Sequence, residues 1–272
     1  MLFIHQYALY LHIAIGSCAL IAFWIPVFTH KGNLDHKRFG RYFAYAIFGR
    51  YFAYAMYAVS LSGITMASLD LLFPLATHAA GASLSAEQAA RAVTEIRGFA
   101  LFLLSLSILV LNSTRQGWLT IKHKADRSAL RAPVHTALCT SLIVVGIALF
   151  INGLASGSAL FIIFAILQVV SGVNCLRYNF KQELGPKEWW IQHLGGFIGS
   201  GIGAYTAFLI FGGRHLFESI FGDSFSDISL VLWITPGVIG GLAITYLSRH
   251  YRRRFSGEWA IKHAKLRTEM FN

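Results

Sequence analysis

Charged residues are scarce in this sequence, and their scarcity excludes an ordinary soluble protein. They make up 13% of the 272 residues, whereas soluble domains carry about 25%. Mean hydropathy is +0.57 and hydrophobic residues reach 56%. The net charge of +11 comes from basic residues at the ends of apolar runs, so the composition argues against nucleic-acid binding. It predicts an integral membrane protein whose main partner is the lipid bilayer.

Cysteines are also rare, and so are acidic residues within the apolar runs. Cys18, Cys139 and Cys175 all fall inside apolar runs without metal-type spacing, so we interpret them as small core residues. Asp and Glu are absent from the apolar runs except for Asp70 at an edge, which argues against a proton-coupled carrier built on buried carboxylates. The sequence contains no Ser-His-Asp order, phosphate loop or dinucleotide fingerprint. Whether the protein is an enzyme therefore stays open.

Seven apolar runs are long enough to cross a bilayer, which takes about 20 residues. They predict an all-α polytopic bundle of seven transmembrane helices, at residues 3–28, 41–72, 98–113 with a continuation to 118, 133–151, 159–176, 189–211 and 230–247. The predicted domains are a transmembrane domain over residues 1–248 and a basic cytoplasmic tail over residues 249–272. Ser85 is a helix-capping residue, and residues 85–96 predict a short helix outside the membrane.

Basic residues are distributed unevenly between the two sides of this bundle. They concentrate in the first, third and fifth connections and in the tail, while the other side has only Arg91, Arg97 and Arg214. Connections rich in Lys and Arg lie in the cytoplasm. The distribution therefore predicts an amino terminus outside and a carboxyl terminus in the cytoplasm.

The second span contains an exact internal repeat. The segment FGRYFAYA occurs at residues 39–46 and again at residues 48–55. An insertion of nine residues lengthens a helix by about 13.5 Å and turns it by about 180°. Burying an Arg at mid-span costs about 2.5–3.5 kcal/mol on insertion scales, so we expect Arg50 at the cytoplasmic interface and residues 51–69 within the membrane.

Two histidines form the main candidate site. His135 and His193 are predicted about one turn inside the cytoplasmic ends of the fourth and sixth spans, and intramembrane ionisable residues usually mark functional sites. The pair suits the axial positions of one b-type haem; with His36 it suits a transition-metal ion instead. The haem is favoured, because the insertion moves His36 by about 13.5 Å.

A non-catalytic alternative stays open beside these cofactor sites. In it the histidines only form hydrogen bonds between helices, and the protein is a membrane component or a small-molecule carrier. Further polar residues expected inside the membrane are His12, Gln168 and Asn174.

Glycines in the sixth and seventh spans predict close helix packing. Those of the sixth span recur every four residues, a spacing that lets two helix backbones approach closely in a bilayer. Gly196 and Ser200 follow His193 on one helix face, so we expect the imidazole beside a groove of small residues. The residues assigned to packing are Gly195, Gly199, Gly203, Gly237 and Gly241.

Three stretches carry a resemblance: residues 11–20 (LHIAIGSCAL), residues 31–40 (KGNLDHKRFG) and the glycine-rich span opened by His193. Together they resemble a family of small bacterial inner-membrane proteins of unknown function. The resemblance implies a multi-pass protein of the prokaryotic plasma membrane without a settled activity. It aligns His12, His36 and His193 with recurrent histidines of that family. A membrane-protein partner or a homo-oligomer stays open.

Overall fold

The computed structural model describes residues 2–28, 41–78, 83–213 and 225–256, with single positions between 217 and 222. Every regular element in these ranges is helical: α1 Leu2–Phe28, α2 Arg41–Leu72, α3 Pro74–His78, α4 Ala86–His123, α5 Ser128–Arg131, α6 Pro133–Ser156, α7 Ala159–Phe180, α8 Glu188–Ala207 with a π-helical turn Phe208–Gly212, and α9 Phe225–Phe255. Seven of these helices are long and apolar enough to cross a membrane. The prediction of a seven-span helical bundle is confirmed.

Helix α4 is longer than the sequence predicts. A capping box begins it, in which the Gln88 N–H donates to Ser85 Oγ at 3.2 Å and the Ser85 N–H donates to Gln88 Oε1 at 2.9 Å. The prediction of a separate helix over residues 85–96 is wrong, because the helix continues through Gly98 into the span. At 1.5 Å per residue it is about 57 Å long, well over the bilayer core of about 30 Å. The helix is therefore longer than one crossing of the bilayer core requires.

Helix α4 is also the centre of the bundle. Helices α2, α6 and α8 pack along it, while α1 pairs with α2, α7 with α6, and α9 with α8. Phe102 of α4 is fully buried at this centre and lies 4.9 Å from the Trp233 ring of α9, centroid to centroid. Many large apolar side chains elsewhere on the helices are exposed, as lipid-facing residues of a membrane bundle are.

From Arg41 onward the repeated segment lies in one continuous helix, because α2 runs without a break through the rest of the first copy and through all of the second; Phe39 and Gly40 lie outside the described residues. The second copy packs in the bundle: Phe52 is 2% exposed, and its ring lies 4.8 Å from that of Phe197 and 5.7 Å from that of Phe23. The candidate span begins at Arg50. The side chains of residues 41–49 lie outside the described part, so the position of Arg50 at the interface stays a prediction.

Helix α8 contacts α4 through small residues. A Cβ added to Gly196 would lie 2.8 Å from the Cα of Gly117, and one added to Gly203 would clash with Val110. Gly199 has room for a Cβ 3.5 Å from the Ser113 Oγ. Gly195 points elsewhere, because the nearest atom to its Cβ position is Ile244 Cγ2 of α9 at 4.0 Å. The closest approach to α4 therefore follows the face of His193 and Gly196, and the packing assigned to Gly195 stays a prediction, with α9 as its neighbour.

The α8–α9 contact uses a different glycine from the predicted ones. A Cβ added to Gly240 would clash with Ile202 of α8, whereas the Cβ positions of Gly237 and Gly241 have no neighbour within 4 Å among the described residues. Gly237 and Gly241 are one turn apart and share a face, and Gly240 lies on an adjacent face. Gly240 is thus the glycine of α9 at this contact, and packing by Gly237 and Gly241 stays a prediction.

The boundary between bundle and tail lies within α9. The helix runs to Phe255 without a break at residue 248. Residues 257–272 lie outside the described part, and a cytoplasmic tail there stays a prediction.

Candidate functional site

A thiol–imidazole cluster lies buried where α4, α6 and α7 meet. It consists of His135, Cys139 and Cys175. Pro133 begins α6 and places His135 in its first turn, and Cys139 follows four residues later on the same face. His135 and Cys139 are 0% exposed and Cys175 of α7 is 4% exposed. The three ligand atoms all lie within 4.8 Å of one another, so the cluster has the residue types and the proximity of a transition-metal site.

The two sulfur atoms are in direct contact with each other. Cys139 Sγ lies 3.0 Å from Cys175 Sγ and 3.7 Å from His135 Nε2. Both cysteines are free thiols. This separation is longer than a disulfide bond of about 2.05 Å, so the pair is a close contact between two thiols. Two thiols and an imidazole therefore form one connected group.

Carboxamides of α4 and α7 surround this group. His135 Nε2 lies 2.6 Å from Gln116 Oε1, which also lies 3.1 Å from Cys175 Sγ. Since an amide oxygen only accepts, the imidazole donates from Nε2. Gln116 Nε2 donates to Asn179 Oδ1 at 2.9 Å. Finally, Cys139 Sγ donates to Asn112 Oδ1 at 3.3 Å. The amide oxygens of Gln116 and Asn112 thus lie close enough to the sulfur and nitrogen atoms to be further ligands of a bound ion.

Two arginines lie between the cluster and the end of the bundle that carries α5. Arg127 donates to the carbonyl oxygens of Tyr178 and Gln182 at 3.0 and 3.1 Å. Arg131 Nε donates to the Asn179 carbonyl oxygen at 2.8 Å. Asn179 belongs to the last turn of α7, whose carbonyls the helix leaves without an intrahelical partner, whereas the Tyr178 carbonyl also accepts from the Lys181 N–H. The arginine bonds hold the carboxyl end of α7, which carries Cys175 and Asn179, against α5 and α6.

His193 of α8 lies at a second, separate site beside α4. Its Nδ1 donates to the Gly117 carbonyl oxygen at 2.9 Å, which leaves Nε2 as the lone-pair nitrogen of the neutral ring. The ring lines a small pocket with Thr114, Ser200 and aromatic residues of three helices, Phe52, Trp118 and Phe197. The sequence prediction of His193 beside a groove of small residues agrees with this position.

The structure does not bring His135 and His193 together as one pair. Each ring is held by α4, His135 through the Gln116 side chain and His193 through the neighbouring Gly117 backbone. Helices α6 and α8 both pack on α4 and have no extended contact with each other. His36, the third ligand of the predicted metal site, lies outside the described residues. Joint ligation by these histidines therefore stays a prediction.

The other predicted polar residues have different environments. His12 Nδ1 lies 3.0 Å from Ser62 Oγ and joins α1 to α2. Gln168 is 1% exposed and donates from Nε2 to the Ser105 carbonyl oxygen of α4. Asn174 is exposed on α7. Two of the three therefore make contacts between helices.

Sequence reasoning missed Cys139 and Cys175 as members of a polar cluster. Their burial agrees with the interpretation as core residues, but their contacts are to polar atoms. A usable signal was present in the spacing, because His135 and Cys139, like Cys175 and Asn179, are four residues apart and share a helix face. The pairing of α6 with α7, which brings the two faces together, was not evident from spacing.

Comparison with known proteins gives one family match. Residues 137–208 match a short repeat of unknown function (DUF308). The matched segment covers most of α6, α7 and α8, including Cys139, Cys175 and His193, and is less than half of the chain. It confirms the resemblance to an uncharacterised family of unknown function. No curated protein and no solved structure matches the chain.

Proposed function

We propose that this membrane protein binds a zinc-class transition-metal ion at the thiol–imidazole cluster. The observation that carries the proposal is the buried contact of Cys139, Cys175 and His135, whose three ligand atoms lie within 4.8 Å of one another. Zinc is bound in proteins by two to four Cys and His residues in tetrahedral geometry. Gln116 Oε1 and Asn112 Oδ1 supply oxygen atoms beside the cluster for the fourth position.

Charge balance favours a divalent ion over a monovalent one. Net charge inside a bilayer is costly. Two thiolates and a neutral imidazole carry a charge of −2, which Zn²⁺ cancels and Cu⁺ does not. Thiolate is also the ligand that selects zinc-class ions over magnesium or calcium. The cluster thus fits a neutral Zn²⁺ complex.

Binding requires small movements and a defined loss of protons. Zinc–sulfur bonds of about 2.3 Å in a tetrahedron place two sulfur atoms about 3.8 Å apart, whereas these two are 3.0 Å apart. One thiol must therefore turn away from the other. Both thiols release a proton, and the imidazole proton moves from Nε2 to Nδ1, the buried atom that lacks a hydrogen-bond partner among the described residues.

A single haem held by His135 and His193 is the second candidate. It is supported by the lone-pair Nε2 of His193 and by the aromatic residues beside it. Against it, His135 lies on α6 and His193 on α8, two helices that have no extended contact with each other in the described part of the chain. We rank it below the metal site for that reason. A non-catalytic role with purely structural histidines is the remaining alternative.

We also propose the bacterial plasma membrane as the location, with the amino terminus outside. The resemblance to bacterial inner-membrane proteins supports the first part. The excess of Lys and Arg in alternate connections supports the second. In this orientation the thiol–imidazole cluster lies in the cytoplasmic half of the bundle.

The test uses the full chain, purified in detergent with an affinity tag that contains no histidine. Titration with Co²⁺, a spectroscopic substitute for Zn²⁺, should give charge-transfer bands from cobalt thiolate, and Zn²⁺ should displace them. Cys139→Ser and Cys175→Ser should each lose these bands. The matched control is Cys18→Ser, because Cys18 is exposed on α1. Loss of a ligand should weaken binding by roughly 100-fold or more, since loss of an outer-shell group alone costs about 10–100-fold.

Wild-type protein without thiolate bands, or Cys→Ser variants that retain them, contradicts the metal proposal. The optical spectrum of the same sample, before any metal is added, tests the haem alternative. A Soret band that disappears in both His135→Ala and His193→Ala would establish it. Absence of both signals, with normal folding, supports the structural role.

A further inference from the structure

A second group of metal-ligand side chains lies at the opposite end of the bundle. It is formed by His5 of α1, Asp70 of α2 and His78 of α3, the histidine–aspartate cluster. His5 Nε2 lies 3.2 Å and His78 Nε2 lies 3.1 Å from the same carboxylate oxygen, Asp70 Oδ1. The three ligand atoms lie within 4.8 Å of one another. Three helices that are separate in sequence thus bring two imidazoles beside one carboxylate.

Ordinary hydrogen bonding does not account for this arrangement. Asp70 Oδ1 is buried and accepts no hydrogen bond from the described residues, although both ring nitrogens are close to it. The N–H bonds of the two rings therefore do not point at the oxygen. Ligands at about 2.0–2.1 Å from a tetrahedral ion are about 3.4 Å apart, near the separations of 3.1 and 3.2 Å found here.

The burial and the charge of Asp70 also indicate an ion at this cluster. Asp70 is 5% exposed, and a buried carboxylate requires a positive partner. The nearby Arg97 does not supply it through Nε, because Arg97 Nε donates to the Leu71 carbonyl oxygen. His5 and His78 carry a positive charge only when protonated, and a divalent ion on Asp70 supplies that charge when both rings are neutral.

Access from water is also present. The side chains of His5 and Asp70 are 15% and 7% exposed, whereas that of His78 is 48% exposed. Two ligands therefore lie inside the bundle and the third stands at its edge. An ion held there has three protein ligands and a further position open to solvent, as in zinc sites that exchange a water or a substrate.

We infer that His5, Asp70 and His78 form a second metal site, for a zinc-class divalent ion with one position open to water. Two imidazoles and one carboxylate are ligands that suit zinc and divalent iron. The site shares no residue with the thiol–imidazole cluster and lies at the other end of the helices. A failure of this inference would therefore leave the function proposed above unaffected, and the reverse holds as well.

The test uses the full-length protein in detergent, again without a histidine tag, and Zn²⁺ and Co²⁺ as probes. Sulfur-free ligation gives cobalt d–d bands without thiolate charge transfer, so the two sites are distinguished in one spectrum. A Cys139→Ser/Cys175→Ser variant should retain one bound ion with a sulfur-free spectrum. Adding His78→Ala or Asp70→Asn to it should weaken Zn²⁺ binding by roughly 100-fold or more, because a direct ligand is lost.

The matched control is His250→Ala, since His250 is an exposed histidine near the other end of the bundle. It should leave binding unchanged. His78→Ala is the safer ligand variant, because it removes a half-exposed side chain at a helix end and leaves the packed span intact. A sulfur-free ion that persists in both His78→Ala and Asp70→Asn, or its absence in the variant without Cys139 and Cys175, overturns the inference. Failure at this cluster leaves the thiolate bands of the first site unaffected.

Discussion

Gly196 of α8 lies directly against the backbone of Gly117 in α4, so that a Cβ on Gly196 would meet the Gly117 Cα and N at 2.8 Å. One turn earlier, His193 donates to the carbonyl oxygen of the same Gly117. Helix association in lipid depends on such close backbone contacts, because the hydrophobic driving force between helices is absent there. The crossing therefore fixes both the packing of α8 and the position of its imidazole.

Gly196→Ala should destabilise the bundle. The new methyl group meets backbone atoms that no side-chain rotation can move, and overpacking of this kind costs about 1–3 kcal/mol. We expect a lower midpoint of thermal unfolding in detergent. Gly195→Ala is the matched control, because its nearest neighbour is Ile244 Cγ2 at 4.0 Å. Equal unfolding midpoints for the two variants would contradict the structure of this crossing.

Gln116→Met nearly preserves the shape of the side chain, and it should destabilise the protein. Gln116 contacts His135, Cys175 and Asn179, and Met leaves their buried polar groups without that partner. Hydrogen bonds between membrane helices contribute about 1–2 kcal/mol in model peptides and about 0.6 kcal/mol on average in a folded bundle. The loss of several should be measurable as a lower unfolding midpoint.

The control for Gln116→Met is Thr140→Val. The Thr140 hydroxyl only donates to the Thr136 carbonyl of its own helix on an exposed face. A Gln116→Met protein as stable as this control would show that the polar network around the cysteines contributes nothing to folding.

The seven spans were predictable from the sequence because each depends on a local feature, whereas the helix ends were not, since α4 and α9 extend beyond their apolar runs. The length of each apolar run determines the span. The capping box that begins α4 joins Ser85 to Gln88, so a short stretch of sequence is enough to identify it. The helix faces that meet depend on neighbours distant in sequence. His5, Asp70 and His78 come from three elements, and Cys139 and Cys175 from two, so their proximity follows only from the packing of α1 on α2 and of α6 on α7.

Arg131→Ala should expose the thiol–imidazole cluster to water-soluble reagents. Arg131 Nε holds the Asn179 carbonyl at the end of α7, and without it the last turn of that helix should open more often. In a Cys18→Ser background, we expect faster labelling of Cys139 and Cys175 by a polar maleimide. Arg177→Ala, which removes an exposed arginine of the same helix, should leave the rate unchanged. The closure role of Arg131 is wrong if both variants label equally.

The proposed orientation has a direct test in reporter fusions. Fusions after Gly157, between α6 and α7, and after Glu183, between α7 and α8, should report opposite sides of the membrane. Alkaline phosphatase should be active in the first and a cytoplasmic fluorescent reporter in the second. The reverse pattern would place the thiol–imidazole cluster in the outer half of the bundle, and identical signals would be incompatible with a span at α7.

X-ray absorption at the zinc edge tests the central claim most directly. The sample is the His78→Ala protein loaded with one equivalent of Zn²⁺, so that the histidine–aspartate cluster does not contribute. The account predicts two sulfur atoms at about 2.3 Å and nitrogen or oxygen ligands at about 2.0–2.2 Å. A first shell of nitrogen and oxygen alone, or a protein that binds no zinc, would contradict metal binding by Cys139, Cys175 and His135.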